Sequence, residues 1–186
     1  MSHFCVAVFS NEPDDVEFDK LLLKYDENNE NEKRFYEVSE EQIQREYDRF
    51  VEQNYPVPFE DFLENFGYFF DEELGAYGYR ENPNAKYDYY SLDARYPYLL
   101  YEDVEFDVGD NPVMHRKNDY DYEKETGDLT PYAFVTPDGE WHAPGTVGWF
   151  ASSDETEEST AAYEKEWEEY INSEENPYVS FVDCHI

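Results

Sequence analysis

Apolar positions along the chain fall into short runs of strand length and into stripes spaced for helices. Phe4 to Phe9 is a continuous apolar run, ended by Ser10-Asn11 and Pro13. It predicts a buried central strand. Asp14 to Asn31 holds a short apolar patch, Leu21-Leu22-Leu23, followed by a polar stretch from Asp26 that reads as solvated loop. Ser39 opens a helix, with Gln42 three residues on in a capping-box pattern. Ile43, Tyr47, Phe50 and Val51 give that helix its apolar stripe. It ends near Asn54, before Pro56 and Pro58. A second short helix carries Phe59, Phe62, Leu63 and Phe66 on one face, with Gly67 at the C′ position.

Tyr68 to Asp107 interleaves aromatics with acids, and Gly75, Gly78 and Pro83 break it into short pieces. Tyr87-Asp88-Tyr89 and Val104-Glu105-Phe106-Asp107-Val108 alternate with period two, as half-buried strands do. Gly109 to Asp128 is polar and reads as loop or short helix. The last block has an apolar run Tyr132 to Val135, a turn Pro137-Asp138-Gly139 and a second run from Trp141 to Phe150. A helix from about Ser153 to Asn172 and a final strand from Tyr178 to Val182 complete it. Tyr163, Trp167, Tyr170 and Ile171 have the spacing of a core-facing stripe. The pattern predicts an α+β fold: a single mixed or antiparallel sheet with helices packed on one face. It predicts one domain over residues 1–186, with flexible loops near 26–33 and 109–128. If the first and last strands pair, Cys5 comes near Cys184 and His3 near His185.

Charge changes this picture most. The 186 residues contain 47 Asp plus Glu against 13 Lys plus Arg, a formal charge of −34. Aromatics make up 19% of the chain, enough to build a core and to exclude a disordered acidic tail. A folded body must therefore carry a strong negative field, far beyond the magnitude of roughly 2–8 that solubility asks of a small domain. Such a surface repels nucleic acid and anionic membranes and attracts basic proteins. No apolar run reaches 18 residues, so no membrane span is expected. The start of the chain lacks a basic region before its apolar run, so a secretory signal is not expected either. The two cysteines suit an intracellular chain with buried thiols.

Several pieces carry a resemblance. They are Tyr77-Gly78-Tyr79, Asn82-Pro83-Asn84-Ala85-Lys86-Tyr87-Asp88-Tyr89-Tyr90, Pro137-Asp138-Gly139-Glu140-Trp141-His142, Gly148-Trp149-Phe150 and the ending Val182-Asp183-Cys184-His185-Ile186. In this order they resemble a family of small, functionally uncharacterised proteins of phages, mobile elements and some bacteria. Its members begin with a His-Phe strand and end in the same five residues. The resemblance covers about half the chain and implies a phage-like origin and one α+β domain. It implies no activity. Where relatives have Gly-Gly-Arg-Trp, this chain has Asp93-Ala94-Arg95-Tyr96, which removes both glycines from any close backbone approach to a ligand.

Catalytic signatures are lacking: there is no phosphate loop, nucleophile elbow, Cys-x-x-Cys or His-Glu-x-x-His. His3, Cys5, Cys184 and His185 have zinc-ligand chemistry. Alternation along a strand, however, sends Cys184 and His185 to opposite faces, so at most three of the four converge. Buried thiols and strand-end imidazoles are the simpler expectation, and no metal or cofactor is assigned. His142 reads as a hairpin residue, and Arg95 as a salt-bridge or cation–π partner of its acidic, aromatic neighbours. Asn118-Asp119-x-Asp121-x-Glu123 lacks the glycine and final glutamate of an EF-hand loop.

The excess charge carries the functional expectation. Glu164 and Glu168 are like-charged i,i+4 neighbours, an arrangement that costs a helix about 0.2–0.5 kcal/mol. Folding does not require it. A rigid anionic surface can occupy the basic groove of a nucleic-acid-binding protein, with interleaved Tyr and Phe as anchors. The expected function is thus a non-enzymatic phage-type inhibitor, a DNA or RNA mimic of the anti-CRISPR or anti-restriction kind, acting in the host cytoplasm. The candidate residues are Glu157, Glu158, Glu164, Glu168 and Glu169 on the last helix, with Asp71, Glu72, Glu73, Glu102, Asp103 and Glu105 in the acidic–aromatic stretch. The partner is a basic host protein, not nucleic acid or membrane, and a homodimer is left open. The alternatives are a shape-specific protein-binding inhibitor or adaptor with incidental acidity, and a small ligand-binding protein or enzyme using residues 82–96.

Overall fold

The computed structural model describes residues 3–54, 56–92, 114–119, 130–147 and 153–186. They form two compact units, residues 1–28 with 84–186 and residues 29–83. Both are α+β.

The first unit is built on two long strands, β1 (His3–Ser10) and β9 (Tyr178–His185), which pair antiparallel over their whole length. β1 also pairs in parallel with β7 (Ala133–Val135), which pairs antiparallel with β8 (Trp141–His142). On its other side β9 takes β5 (Tyr89–Ser91) at one end and β6 (His115–Arg116) at the other. The result is a mixed six-stranded sheet. Val6, Ala7, Phe9, Val179 and Cys184 are all fully buried, as a central strand covered on both faces requires.

The two faces pack differently. Phe4, Val6, Val8, Val182 and Cys184 meet Phe18 and Leu22 of helix α1 (Asp15–Leu23), together with Tyr25 and Tyr87. Cys5, Ala7, Phe9, Val179 and Phe181 meet Tyr163 and Trp167 of a later helix, Glu157–Ile171. The α+β class and mixed sheet agree with the sequence pattern, but helices cover both faces, not one. The physical reason is in β1 itself: residues of both parities are apolar, so both faces need a cover. Helix α1 also takes up the expected apolar patch, while the stretch from Asp26 to Asn31 is loop, as expected. Asp14 caps the helix by accepting the Glu17 N–H at 2.8 Å; Phe18 and Leu22 are buried and Leu21 packs half-buried against the same core, while Val16 and Leu23 stay exposed.

The second unit holds helices α2 (Glu40–Gln53) and α3 (Phe59–Asn65) and an antiparallel sheet of β2 (Arg34–Glu37), β4 (Ala76–Glu81) and β3 (Phe69–Asp71), in that order. Ser39 caps α2 as expected, accepting the Gln42 N–H at 3.2 Å, but the Gln42 side chain donates to Glu46 instead of closing the box. Gly67 is the left-handed C′ residue of α3, φ 69°. The bonds Gly67 N–H to Glu64 O and Tyr68 N–H to Leu63 O make a Schellman end. Val38, Ile43 and Phe62 form the core, ringed by Tyr47, Phe50, Val57, Leu63, Tyr68 and Tyr77. Gly78 lies beneath the Phe35 ring and against the Tyr36 carbonyl, leaving no space for a Cβ.

The Glu157–Ile171 helix, α4 here, opens with a reciprocal capping box between Thr156 and Ser159. Its C-terminus is held by Lys117, a fully buried cation. The Lys117 Nζ donates to the carbonyls of Tyr170 (2.8 Å), Ile171 (3.2 Å) and Ser173 (3.0 Å) and lies 2.9 Å from Ser173 Oγ. Glu168 and Glu169 oppose the helix dipole in the last turn, and the ammonium offsets them there. Lys117→Met leaves those carbonyls without their charged donor and is expected to cost about 2–4 kcal/mol. A thermal melt should show a midpoint lowered by roughly 4–16 °C; an unchanged midpoint contradicts this role.

Buried phenols set an alkaline limit. Burial pushes Tyr87, Tyr163, Tyr90 and Tyr170 well above the usual tyrosine value. Burial and the hydrogen bond to Glu46 push Tyr68 up to about 12. Folded values raised above the unfolded value of about 10 mean stability that is complete below that pH and lost as pH rises through the folded values. Ultraviolet titration is expected to show these phenols ionising together with loss of circular dichroism. Ionisation with the fold intact would contradict it.

Candidate functional site

Helix α4 carries the strongest candidate surface. Tyr163 and Trp167 are buried and Tyr170 and Ile171 half-buried, as the stripe predicts. Glu157, Glu158, Glu164, Glu168 and Glu169 are all exposed. At 3.6 residues per turn, Glu157, Glu164 and Glu168 share one line along the helix, about 16 Å long at 1.5 Å per residue. Glu158 and Glu169 lie beside that line with Lys165, whose Nζ is 3.2 Å from Glu169 Oε1. Glu166, on the opposite flank, meets His142 Nδ1 at 2.8 Å. His142 stacks on Phe134 with ring centroids 4.5 Å apart, so it is a packed hairpin residue, as expected.

Asp71, Glu72 and Glu73 lie in the other unit, at the turn between β3 and β4. Asp71 is spent on that turn: it accepts the N–H groups of Glu73 and Leu74 at 3.0 and 3.1 Å, and Arg80 lies 3.5 Å away. Glu72 and Glu73 are exposed, and Phe69, Phe70 and Leu74 beside them are exposed too. Exposed aromatics thus stand next to acids on an edge strand. Glu102, Asp103 and Glu105, the Val104–Val108 strand and Arg95 lie outside the described residues. So do Asp121 and Glu123 of the candidate calcium loop.

The chain ends meet as expected, with one addition. In the β1–β9 register His3 faces His185, Cys5 faces Asp183 and Phe4 faces Cys184. The thiols therefore sit on opposite faces, free and buried. Burial raises both thiols well above the usual value, with the Asp183 carboxylate adding to the shift of Cys5. His3, Asp183 and His185 share one face. The His3 Nδ1 lies 3.0 Å from Asp183 Oδ2, and His185 Nε2 lies 3.7 Å from the same oxygen. Asp183 is the addition to the predicted His and Cys residues, and the spacing Asp-x-His on a strand is the signal that places it with His185.

Of the Asn-Pro-Asn motif, Tyr89 reaches the same place, while Tyr87 and Tyr90 turn to α1. Tyr87 is buried and its hydroxyl donates to the Leu22 carbonyl at 3.0 Å. Tyr89 faces His185 in the β5–β9 register and stacks on its ring, centroids 3.9 Å apart. Tyr90 donates to Asp19 at 2.5 Å. The tyrosines of the motif thus serve the fold and support the chain end.

No family model, curated protein or solved structure matches this chain. No described helix is long and apolar enough to cross a membrane.

Both thiols should ignore a thiol reagent such as Ellman's reagent in the native state and react together in denaturant. Fast reaction of either thiol in the folded protein contradicts their burial.

Proposed function

We propose that the chain is a non-enzymatic inhibitor that occupies the basic groove of a nucleic-acid-binding protein, with the outer face of α4 standing in for phosphates. One observation carries this reading: Glu157, Glu158, Glu164, Glu168 and Glu169 are all exposed on a helix whose opposite side is anchored in the core. The helix is held at both ends, by a capping box and by Lys117, so the acids are displayed on a rigid support. Like charges on such a support gain binding energy only when a cationic partner neutralises them, and long-range attraction speeds the encounter. A defence nuclease of the restriction or CRISPR type, met in the host cytoplasm, is the partner class with a groove of this kind. Glu72 and Glu73, flanked by Phe69, Phe70 and Leu74, supply a second acidic surface with apolar contacts. Those exposed side chains also favour a second reading, a shape-specific protein binder in which acidity is incidental.

The test is displacement of labelled DNA from a panel of restriction and CRISPR nucleases. Inhibition of at least one is expected, weakening steeply between low and moderate salt. Reversal of Glu157, Glu164 and Glu168 to Lys should abolish it with circular dichroism unchanged. Inhibition that ignores both salt and charge reversal but is lost in Phe70→Ala supports the second reading. Failure to displace nucleic acid from any member of the panel overturns the proposal.

A further inference from the structure

We propose that His3, Asp183 and His185 form a binding site for a divalent transition-metal ion, and that Zn²⁺ fits their donor set. The donors are two imidazole nitrogens and one carboxylate oxygen, a combination suited to Zn²⁺ and not to Mg²⁺ or Ca²⁺. All three donor atoms lie within 4.8 Å of one another. Donors about 2.0–2.1 Å from a tetrahedral ion sit roughly 3.3 Å apart. The observed 3.0 Å from His3 Nδ1 to Asp183 Oδ2 and 3.7 Å from His185 Nε2 to that oxygen bracket this spacing.

Burial supplies an independent reason. Asp183 is 1% exposed, and its Oδ1 is buried without a hydrogen-bond partner. A carboxylate withdrawn from water with one oxygen unpartnered keeps an under-compensated charge, and a cation held at Oδ2 would neutralise it. The His185 ring is already held in place by the stacked Tyr89, centroids 3.9 Å apart. The His3 side chain is 29% exposed, which gives an ion an entry path and His3 room to turn. Three protein donors leave a fourth position for solvent or for a small ligand atom. The ion would clamp β1 to β9 at the end where the chain begins and stops in this structure. This site is independent of the acidic face of α4.

The test uses the full chain, stripped with a chelator and titrated with ZnCl₂ in excess Mg²⁺, which occupies the surface carboxylates. One Zn²⁺ per chain is expected, and the imidazole NMR signals of His3 and His185 should move while those of His115 and His142 stay. His3→Ala, at the exposed start of β1, should weaken binding at least about tenfold with the fold intact. Asp183→Asn should do the same; if it does not fold, His3→Ala and the imidazole signals decide. Unmoved His3 and His185 signals, or His3→Ala with undiminished affinity, overturn the proposal and leave the cluster an imidazole–carboxylate contact only.

Discussion

The first unit depends on the antiparallel pairing of β1 with β9. These strands lie far apart in the sequence, yet they pair residue for residue from His3↔His185 to Ser10↔Tyr178. Every other strand of the sheet attaches to one of them or to β7 beside β1. A slip of β9 by one residue against β1 would exchange the two faces of β9. Phe181 would then point to α1, and Val182 would point to the aromatics of α4. The two faces are built for different partners, so the register is fixed by packing and not by backbone hydrogen bonds alone. That register also brings His3, Asp183 and His185 together.

The opposing constraint is charge. A like-charged pair such as Glu164 and Glu168 costs about 0.2–0.5 kcal/mol. Fully burying a large apolar side chain gains about 1.5–3 kcal/mol. Tyr163 and Trp167 alone therefore outweigh several such pairs on the same helix. Inward aromatics let the outer face of α4 carry acids that would unfold an isolated peptide. The helix ends are secured separately, by the Thr156–Ser159 box at the start and Lys117 at the finish.

Elements with strong local signals were legible from the sequence. Phe4–Phe9, the Ser39 cap, Gly67 after α3 and the stripe of α4 all depend on residues close in the chain. Helix α1 was hidden because its exposed Val16 and Leu23 blur the stripe and only Phe18 and Leu22 are buried. The final strand predicted over Tyr178 to Val182 runs on in the structure through Asp183 and His185. They are buried because they pair across the sheet with the start of the chain, information no local window contains. The acids of α4 were placed on its outer face by periodicity alone. Asp71, by contrast, looked like its neighbours Glu72 and Glu73, and only the turn shows it accepting two N–H groups.

Two buried charges separate structure from chemistry in this molecule. Among the described residues, Asp183 is the buried carboxylate and Lys117 the buried ammonium, in a chain that otherwise keeps its charges at least partly exposed. They lie toward opposite ends of β9: the Lys117 N–H bonds the Pro177 carbonyl next to its start, and Asp183 lies near its finish. Lys117 is saturated, with four oxygens within 3.2 Å of its nitrogen. That is how a charge is buried for stability, since every proton it offers has an acceptor. Asp183 has His3 and His185 against one oxygen and no hydrogen bond to the other. A purely structural carboxylate at such a place would be expected to have both oxygens satisfied. The incomplete environment of Asp183, beside the complete one of Lys117, is what distinguishes a place prepared for a cation from one that already holds its own.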